Sequence, residues 1–256
     1  PSSWQRSVEN FGSTNSFDFR ANIYTRKIAL DFAYLLYQGF YLSKPQNHYA
    51  NWESGDPHPQ RSDLGYENLY INAYYIFNNE RFSMRSSYNQ SEKQLRSVGT
   101  PLIAFTFADV KIHADSTLFP DETVVPQKVI GFNYADFLTY AVLGGYSYNY
   151  LYKNFYANAT ISIGPGIQNR EIRPDFIKEQ TILTLVYNFR AAIGYNTDLF
   201  FAGVSTVNNY ATTDLEEIEL SIGSSNLKVF FGFRFIAKNI FQKKRSNIPI
   251  EKEKAY

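Results

Sequence analysis

The chain has 256 residues, room for one large domain or two small ones, with a net charge of +1 and no cysteine. These totals exclude disulfides and thiolate metal sites, offer no basic stripe for nucleic acid, and contain no run of about eighteen apolar residues that could form a transmembrane helix. Aromatic residues make up 18% of the sequence while the mean hydropathy is −0.34, an odd pairing for a soluble core, where aliphatic side chains carry most of the burial.

Residues 1–15 read as an N-terminal segment, and "PSSWQRSVEN" is no natural start, so a removed leader is expected. From there, period-two alternation recurs almost everywhere and helical periodicity almost nowhere. In "SFDFRANIY", Phe17, Phe19, Ala21 and Ile23 oppose Asp18, Arg20, Asn22 and Tyr24. In "KIALDFAYLLY", Ile28, Leu30, Phe32, Tyr34 and Leu36 oppose Ala29, Asp31, Ala33, Leu35 and Tyr37. A long polar loop, 43–65, follows. The pattern returns with Leu69, Ile71, Ala73, Tyr75 and Phe77, and after a second long loop at 110–135 with Phe155, Ala157, Ala159, Ile161 and Ile163. Next come Leu185, Tyr187, Phe189, Ala191 and Ile193 against Asn188, Arg190, Ala192 and Gly194, then a second aromatic limb from Leu199. The last set is Leu227, Val229, Phe231, Phe233 and Phe235 against Lys228, Phe230, Gly232 and Arg234. Strands of about nine to eleven residues or a little more are long enough to cross a bilayer when tilted.

Short polar turns are predicted at Thr25-Arg26-Lys27, Asn78-Asn79-Glu80, Tyr152-Lys153-Asn154 and Asn196-Thr197-Asp198. Counted strictly, they fall on opposite ends in the two halves of the chain. Either a strand hides in 110–135 or Gly223-Ser224-Ser225-Asn226 splits the final segment into a hairpin, and the second is favoured. The barrel is expected over 16–241, with the charged stretch 242–256 leaving it as a flexible periplasmic tail.

Two solvents compete for the apolar face: the core of a soluble sandwich, or lipid. Asp18, Arg20, Asp31, Arg85, Arg190, Lys228 and Arg234 all fall opposite it. The polar face is otherwise mostly Ala, Gly, Ser, Thr, Asn and Tyr, too sparsely charged for a large water-facing sheet. A charge on the lipid side would cost about 2–4 kcal/mol at the bilayer midplane, which accounts for its absence there. The fold class expected is therefore all-β: an antiparallel transmembrane outer-membrane β-barrel of ten to twelve strands, twelve favoured. Inward tyrosines (Tyr24, Tyr37, Tyr70, Tyr74, Tyr156) fill its lumen. A lumen charge network is expected from Asp18, Arg20, Asp31, Arg85, Arg190, Glu219, Lys228 and Arg234.

The stretches "NIYTRKIALDFAYLLYQGFYL", "YIFNNERFSMRSSYNQSEKQLRSVGTPLI", "LGGYSYNYLYKNFYANATISIGPG", "AAIGYNTDLFFAGVST" and "FFGFRF" together resemble the Bacteroidota outer-membrane barrels called domain of unknown function forty-four twenty-one. The resemblance covers most of residues 15–235 and rests on the ordered set rather than on one motif. It implies a bacterial outer-membrane location and no settled activity. It also implies further strand sequence ahead of "SFDFRANIY", so one or two strands are expected to be missing from this chain.

Chemistry is sparse. His48 and His58 lie in the first long loop near Ser43, Asp56, Ser62 and Asp63, and His113 lies near Asp115 and Ser116. No serine stands at a recognisable spacing for hydrolysis, and the acidic groups form no twelve-residue calcium loop. No catalytic residue, metal or cofactor is expected. His48, Tyr49, Trp52 and His58 remain as loop contact candidates. The role expected is non-enzymatic, a structural or accessory subunit of an outer-membrane complex. Its partners would be outer-membrane lipid or lipopolysaccharide and other outer-membrane proteins, with no nucleic acid. A small passive channel is the alternative, followed by a lipid-modifying enzyme and then a soluble carbohydrate-binding β-protein.

Overall fold

The computed structural model of the chain describes residues 14–42, 45–47, 51–116, 133–173, 177–215 and 218–234. Nine strands follow one another: β1 (Asn15–Tyr24), β2 (Ile28–Tyr41), β3 (Gln60–Ile76), β4 (Val98–His113), β5 (Tyr134–Tyr152), β6 (Phe155–Arg173), β7 (Ile177–Asn196), β8 (Phe200–Leu215) and β9 (Ile218–Phe233). A 3-10 turn spans Pro45–Asn47, and a one-turn helix, α1, spans Arg85–Tyr88. Every strand is antiparallel to its chain neighbours, so the order in space is the order in sequence.

The sheet coils until its far strands meet across the inside, as twisted sheets of this size do. Tyr70 on β3 donates to Asn188 on β7 at 3.2 Å, and Asn188 donates to Thr106 on β4 at 3.3 Å. Among the described residues the curl is not closed by pairing, and β1 and β9 form its two edges. Across that seam Arg20 reaches the carbonyl of Ser225 at 3.4 Å.

Alternation sorts the two faces strand by strand. The inner face holds buried polar side chains, among them Asn72, Asn149, Asn158, Thr106, Thr160 and Ser147. The outer face holds most of the exposed large apolar ones: Ile161 is 59% exposed and Ile193 61%, while Arg190 on the inner face is 0% exposed beside a smaller buried apolar set that includes Tyr74, Ile76, Phe137 and Leu143. A soluble sandwich would arrange them the other way, with the apolar face as its core.

Several sequence expectations change. The described residues supply nine strands, fewer than ten to twelve. Gly223–Asn226 makes no hairpin: β9 runs through it, paired with β8 from Leu215↔Ile218 to Phe200↔Phe233. Gly223 serves packing instead, since a Cβ there would lie 2.4 Å from the Tyr210 ring. Asn78-Asn79-Glu80 opens a connection of some length rather than a tight turn. The loop 43–65 is shortened because β3 begins at Gln60, and 110–135 is shortened at both ends by β4 and β5. With β4 in place all four predicted turn positions lie at one end, the short-turn end, and the offset between the halves disappears, while β6–β7 and β8–β9 are joined at the other, long-loop end. Most strands also exceed the expected length, β7 reaching 20 residues.

Candidate functional site

The feature that organises the interior is residues 77–97, which join β3 to β4 at the short-turn end. Alternation lapses here, and Phe82, Met84 and Tyr88 would be stranded in water if the segment looped outward. It folds into the mouth of the curled sheet, where Phe82 and Met84 are fully buried. The helix α1 is held by side chains that alternation had already turned inward. Ser87 Oγ donates to Asn149 Oδ1 at 2.7 Å, and Asn149 Nδ2 donates to the Ser83 carbonyl at 3.2 Å. Tyr88 donates to Asn158 Oδ1 at 2.6 Å and stacks on Tyr24, ring centroids 5.8 Å apart.

Gln90 closes the mouth. Its backbone is left-handed, φ 59°, a conformation uncommon outside glycine, and four contacts hold it there. Its Nε2 donates to the Ser87 carbonyl at 3.0 Å and to the Tyr156 hydroxyl at 2.7 Å. Its Oε1 accepts from Asn196 at 2.9 Å, and its carbonyl accepts from Arg234 at 2.8 Å. Tyr156 can reach it because its ring lies over Gly194, where a Cβ would meet the ring at 2.7 Å.

Ion pairs tie the same segment to the neighbouring turns. Glu92 accepts from Arg26 at 3.1 Å, from Arg85 at 3.0 Å and from Ser83 at 2.7 Å. Lys93 spans to Asp198 on the β7–β8 turn at 2.7 Å, and that ammonium holds the Asp198 carboxyl below the usual carboxylate range.

Behind the plug lies Arg190, fully buried and paired with Asp31 of β2. Asn22 donates to the other Asp31 oxygen at 2.6 Å, and the guanidinium sits over the Tyr74 ring at 4.3 Å. A buried ion is costly without a counter-charge; Asp31 supplies one to Arg190, and the Tyr74 and Tyr88 rings flank the guanidinium.

The eight residues expected to form one lumen network are divided among separate places. Asp31 and Arg190 pair in the interior. Asp18 and Arg20 pair with each other along β1 at 2.8 Å, beside the seam. Lys228 faces the same seam, lining with Arg20 and Asn226 a cavity of about 230 Å³. Arg85 is not on a strand at all but on α1, and its partner is Glu92. Arg234 closes the plug through Gln90 and Asn196, the latter at 2.7 Å. The Glu219 side chain lies outside the described residues.

At the long-loop end, Trp52 and Tyr41 pack edge-on against His58, ring centroids 5.3 and 5.9 Å away. His58 Nδ1 is 2.6 Å from the Leu42 carbonyl and Trp52 donates to the Pro57 carbonyl at 3.2 Å, so these aromatics fasten the loop to the rim. His48 and Tyr49 lie outside the described residues. The His113 ring covers Gly65, where a Cβ would approach it to 2.3 Å. Among the described residues no group of three or more His, Asp or Glu side chains is placed to hold a metal ion.

Sequence reasoning missed Gln90, Glu92 and Asn196 as parts of the site. The available signal was the polar run "SSYNQSEKQ" interrupting two alternating segments. A search of curated proteins finds no match to the chain. The family model described as Domain of unknown function (DUF4421) matches residues 3–235, and the chain belongs to that family.

Proposed function

We propose that this protein is an outer-membrane β-barrel whose role is structural or accessory, as a non-enzymatic subunit of an outer-membrane complex, with a shut lumen. The observation that carries the reading is the inverted sidedness combined with the plug: apolar residues outside, polar ones packed inside, and one mouth filled by 77–97. The outer face supports a lipid setting in detail. At the short-turn end its aromatics form a continuous row, Phe155–Tyr195–Phe200–Phe233, with successive centroids 4.9, 5.4 and 6.5 Å apart. Charge first appears on the outer face at Asp109, followed by the paired row Lys111, Asp136 and Glu171. Between Phe155 and Ile167 on β6 the outer face is charge-free. Twelve residue steps at about 3.4 Å, tilted by about 45°, span roughly 29 Å, close to the hydrocarbon thickness of a bilayer.

The topology also bears on strand number. β1 and β9 run in the same direction, so an antiparallel barrel closes only through an odd number of further strands. One would make ten and three would make twelve, both even counts as bacterial barrels have. Closure is needed because lipid offers no partner for an open strand edge.

The test is paired. Gentle solubilisation from native membranes should recover the protein with a stoichiometric partner, and the purified protein should give no large steady currents in planar bilayers. Steady single-channel currents from the unmodified protein, with no co-purifying partner, would overturn this reading in favour of a passive channel.

A further inference from the structure

The chain's near-neutral charge hides a separation of charge along the barrel axis. Carboxylates gather towards the long-loop end, at Asp63, Glu67, Asp109, Asp115, Asp136 and Glu171, where among the described residues they outnumber Arg61, Lys111, Arg170 and Arg173, three of which pair with Asp63, Asp109 and Glu171. The short-turn end is basic. Among the described residues its carboxylates are Glu80, Glu92 and Asp198, of which Glu92 is shared by Arg26 and Arg85, and Asp198 is taken by Lys93. Arg234 is half-buried on Gln90 and Asn196, which leaves Lys27, Arg81, Arg96 and Lys153, all exposed and none with a carboxylate partner among the described residues, Lys153 lying beside the Tyr152 ring. They follow one another round the mouth. The Lys27 carbonyl accepts from the Ile76 amide at 2.8 Å, beside the start of the plug. The Arg81 carbonyl accepts from Gln94 at 2.6 Å. Ser97, next to Arg96, accepts from the Leu151 amide at 2.9 Å, next to the Lys153 turn.

Two apolar residues stand on this face, where burial was available to their neighbours. Leu95, between Gln94 and Arg96, is 86% exposed, and Leu199, beside Asp198, is 63% exposed. Arg81 and Arg96 belong to the segment that crosses the mouth, so this part of the surface faces along the barrel axis into water rather than sideways into headgroups. We infer that the plugged short-turn end is a docking face for a water-soluble polypeptide with an acidic segment carrying apolar side chains. Carboxylates would meet the four unpaired cations, and an apolar side chain would cover Leu95. Charge complementarity selects the partner's sign and speeds encounter, and the exposed leucine separates a polypeptide from a purely anionic surface. The acidic end of a second copy fits poorly, because copies in one membrane share an orientation. The chain's own residues 235–256, which follow β9 at this end, hold six cations (Lys238, Lys243, Lys244, Arg245, Lys252, Lys254) and two carboxylates (Glu251, Glu253).

This inference rests on the barrel reading for the aqueous setting of the face. Its test runs on the full chain in zwitterionic detergent, so binding is measured independently of location. The probe is a fluorescein-labelled peptide of repeating Glu-Glu-Leu-Gly, with a repeating Glu-Glu-Ser-Gly peptide as comparison. The Leu-containing peptide should bind, with affinity falling about tenfold between low and high salt as the charges are screened. The quadruple variant Lys27→Glu, Arg81→Glu, Arg96→Glu, Lys153→Glu should lose at least about tenfold, and Leu95→Ser should lose preference for the Leu-containing peptide. Arg173→Glu, at the other end, should bind as the parent does. Circular dichroism of the variants checks that these exposed substitutions leave the fold intact, and the four single Lys or Arg→Gln variants should each give a smaller loss.

Equal binding by parent and quadruple variant would overturn the proposal. So would equal binding of the two peptides, which would mark a non-specific polyanion surface. A quadruple variant whose only defect is reduced thermal stability in phosphatidylglycerol nanodiscs would assign the cations to lipid instead. Failure of the barrel reading would appear separately, as loss of the protein from the outer-membrane fraction with peptide binding unchanged.

Discussion

Arg190 is the residue on which the interior depends most. Removing one member of a buried ion pair strands the other, at a typical cost of about 3–5 kcal/mol. Arg190→Ala should therefore lower stability by that order in chemical denaturation of the detergent-solubilised protein. Asp31→Asn with Arg190→Met should recover much of the loss, because both charges then leave together. No recovery in the double variant would mean that Arg190 acts through its tyrosine contacts rather than through Asp31. The inward position of Asp31 and Arg190 was legible from alternation. Their pairing was not, since it depends on how far the sheet curls to bring β2 opposite β7. Asp198 supplies a pH test. Its carboxyl is held below its ordinary range by Lys93, so the tie is fully present above the unfolded value, near pH 4, and is lost as pH falls through the folded one. Cleavage within 77–97 by an acid-active protease should accelerate as pH drops into that range, and Asp198→Asn should show the faster cleavage already at higher pH. An unchanged cleavage profile in Asp198→Asn would remove this tie from the account.

At the scale of elements, period-two alternation carried strand identity, face and register almost everywhere, because each face meets a different environment and a slip by one residue exchanges them. Residues 81–97 failed for a physical reason. A four-residue helix is too short to show a helical period, and Gln90 takes its left-handed backbone from contacts distant in sequence, with Tyr156, Asn196 and Arg234. Arg85 was accordingly read as a strand residue. The Gly223–Asn226 error came from treating glycine as a turn signal where it makes room for a tyrosine ring. Replacing residues 82–94 by a short Gly-Ser turn should leave the sheet intact by infrared spectroscopy yet raise small-ion leakage in liposomes. No added leakage would show that the polar side chains of the strands fill the lumen without the plug. Position matters equally on a strand. Asn188, although on the polar face, is buried between Tyr70 and Thr106 and has no room for a larger group. Asn226, lining the seam cavity, does. Phe189→Arg should thus impair membrane insertion while Asn226→Arg is tolerated, and equal insertion of the two would count against the register.

For the molecule as a whole, the composition posed the question that the fold addresses: how a sequence so rich in aromatics can carry a negative mean hydropathy. Most of the exposed aromatics and aliphatics of the strands face outward, and polar residues that lower the mean are packed inside with a smaller apolar set that includes Tyr70, Tyr74, Tyr156 and Phe137. The separation of a basic from an acidic end was invisible in the totals, because Lys27, Arg81, Arg96 and Lys153 lie far apart in sequence and meet only when the turns gather at one end. Since the chain has no cysteine, single substitutions can report its surroundings cleanly. The most direct test places a nitroxide on Ile161→Cys, Ile163→Cys, Ile167→Cys and Glu171→Cys along the outer face of β6, in liposomes, and compares collisions with oxygen and with a water-soluble nickel chelate. Lipid on the outer face predicts high oxygen and low nickel accessibility from Ile161 to Ile167, reversing at Glu171. Nickel accessibility at Ile161 equal to that at Glu171 would place the apolar face in water and contradict the account.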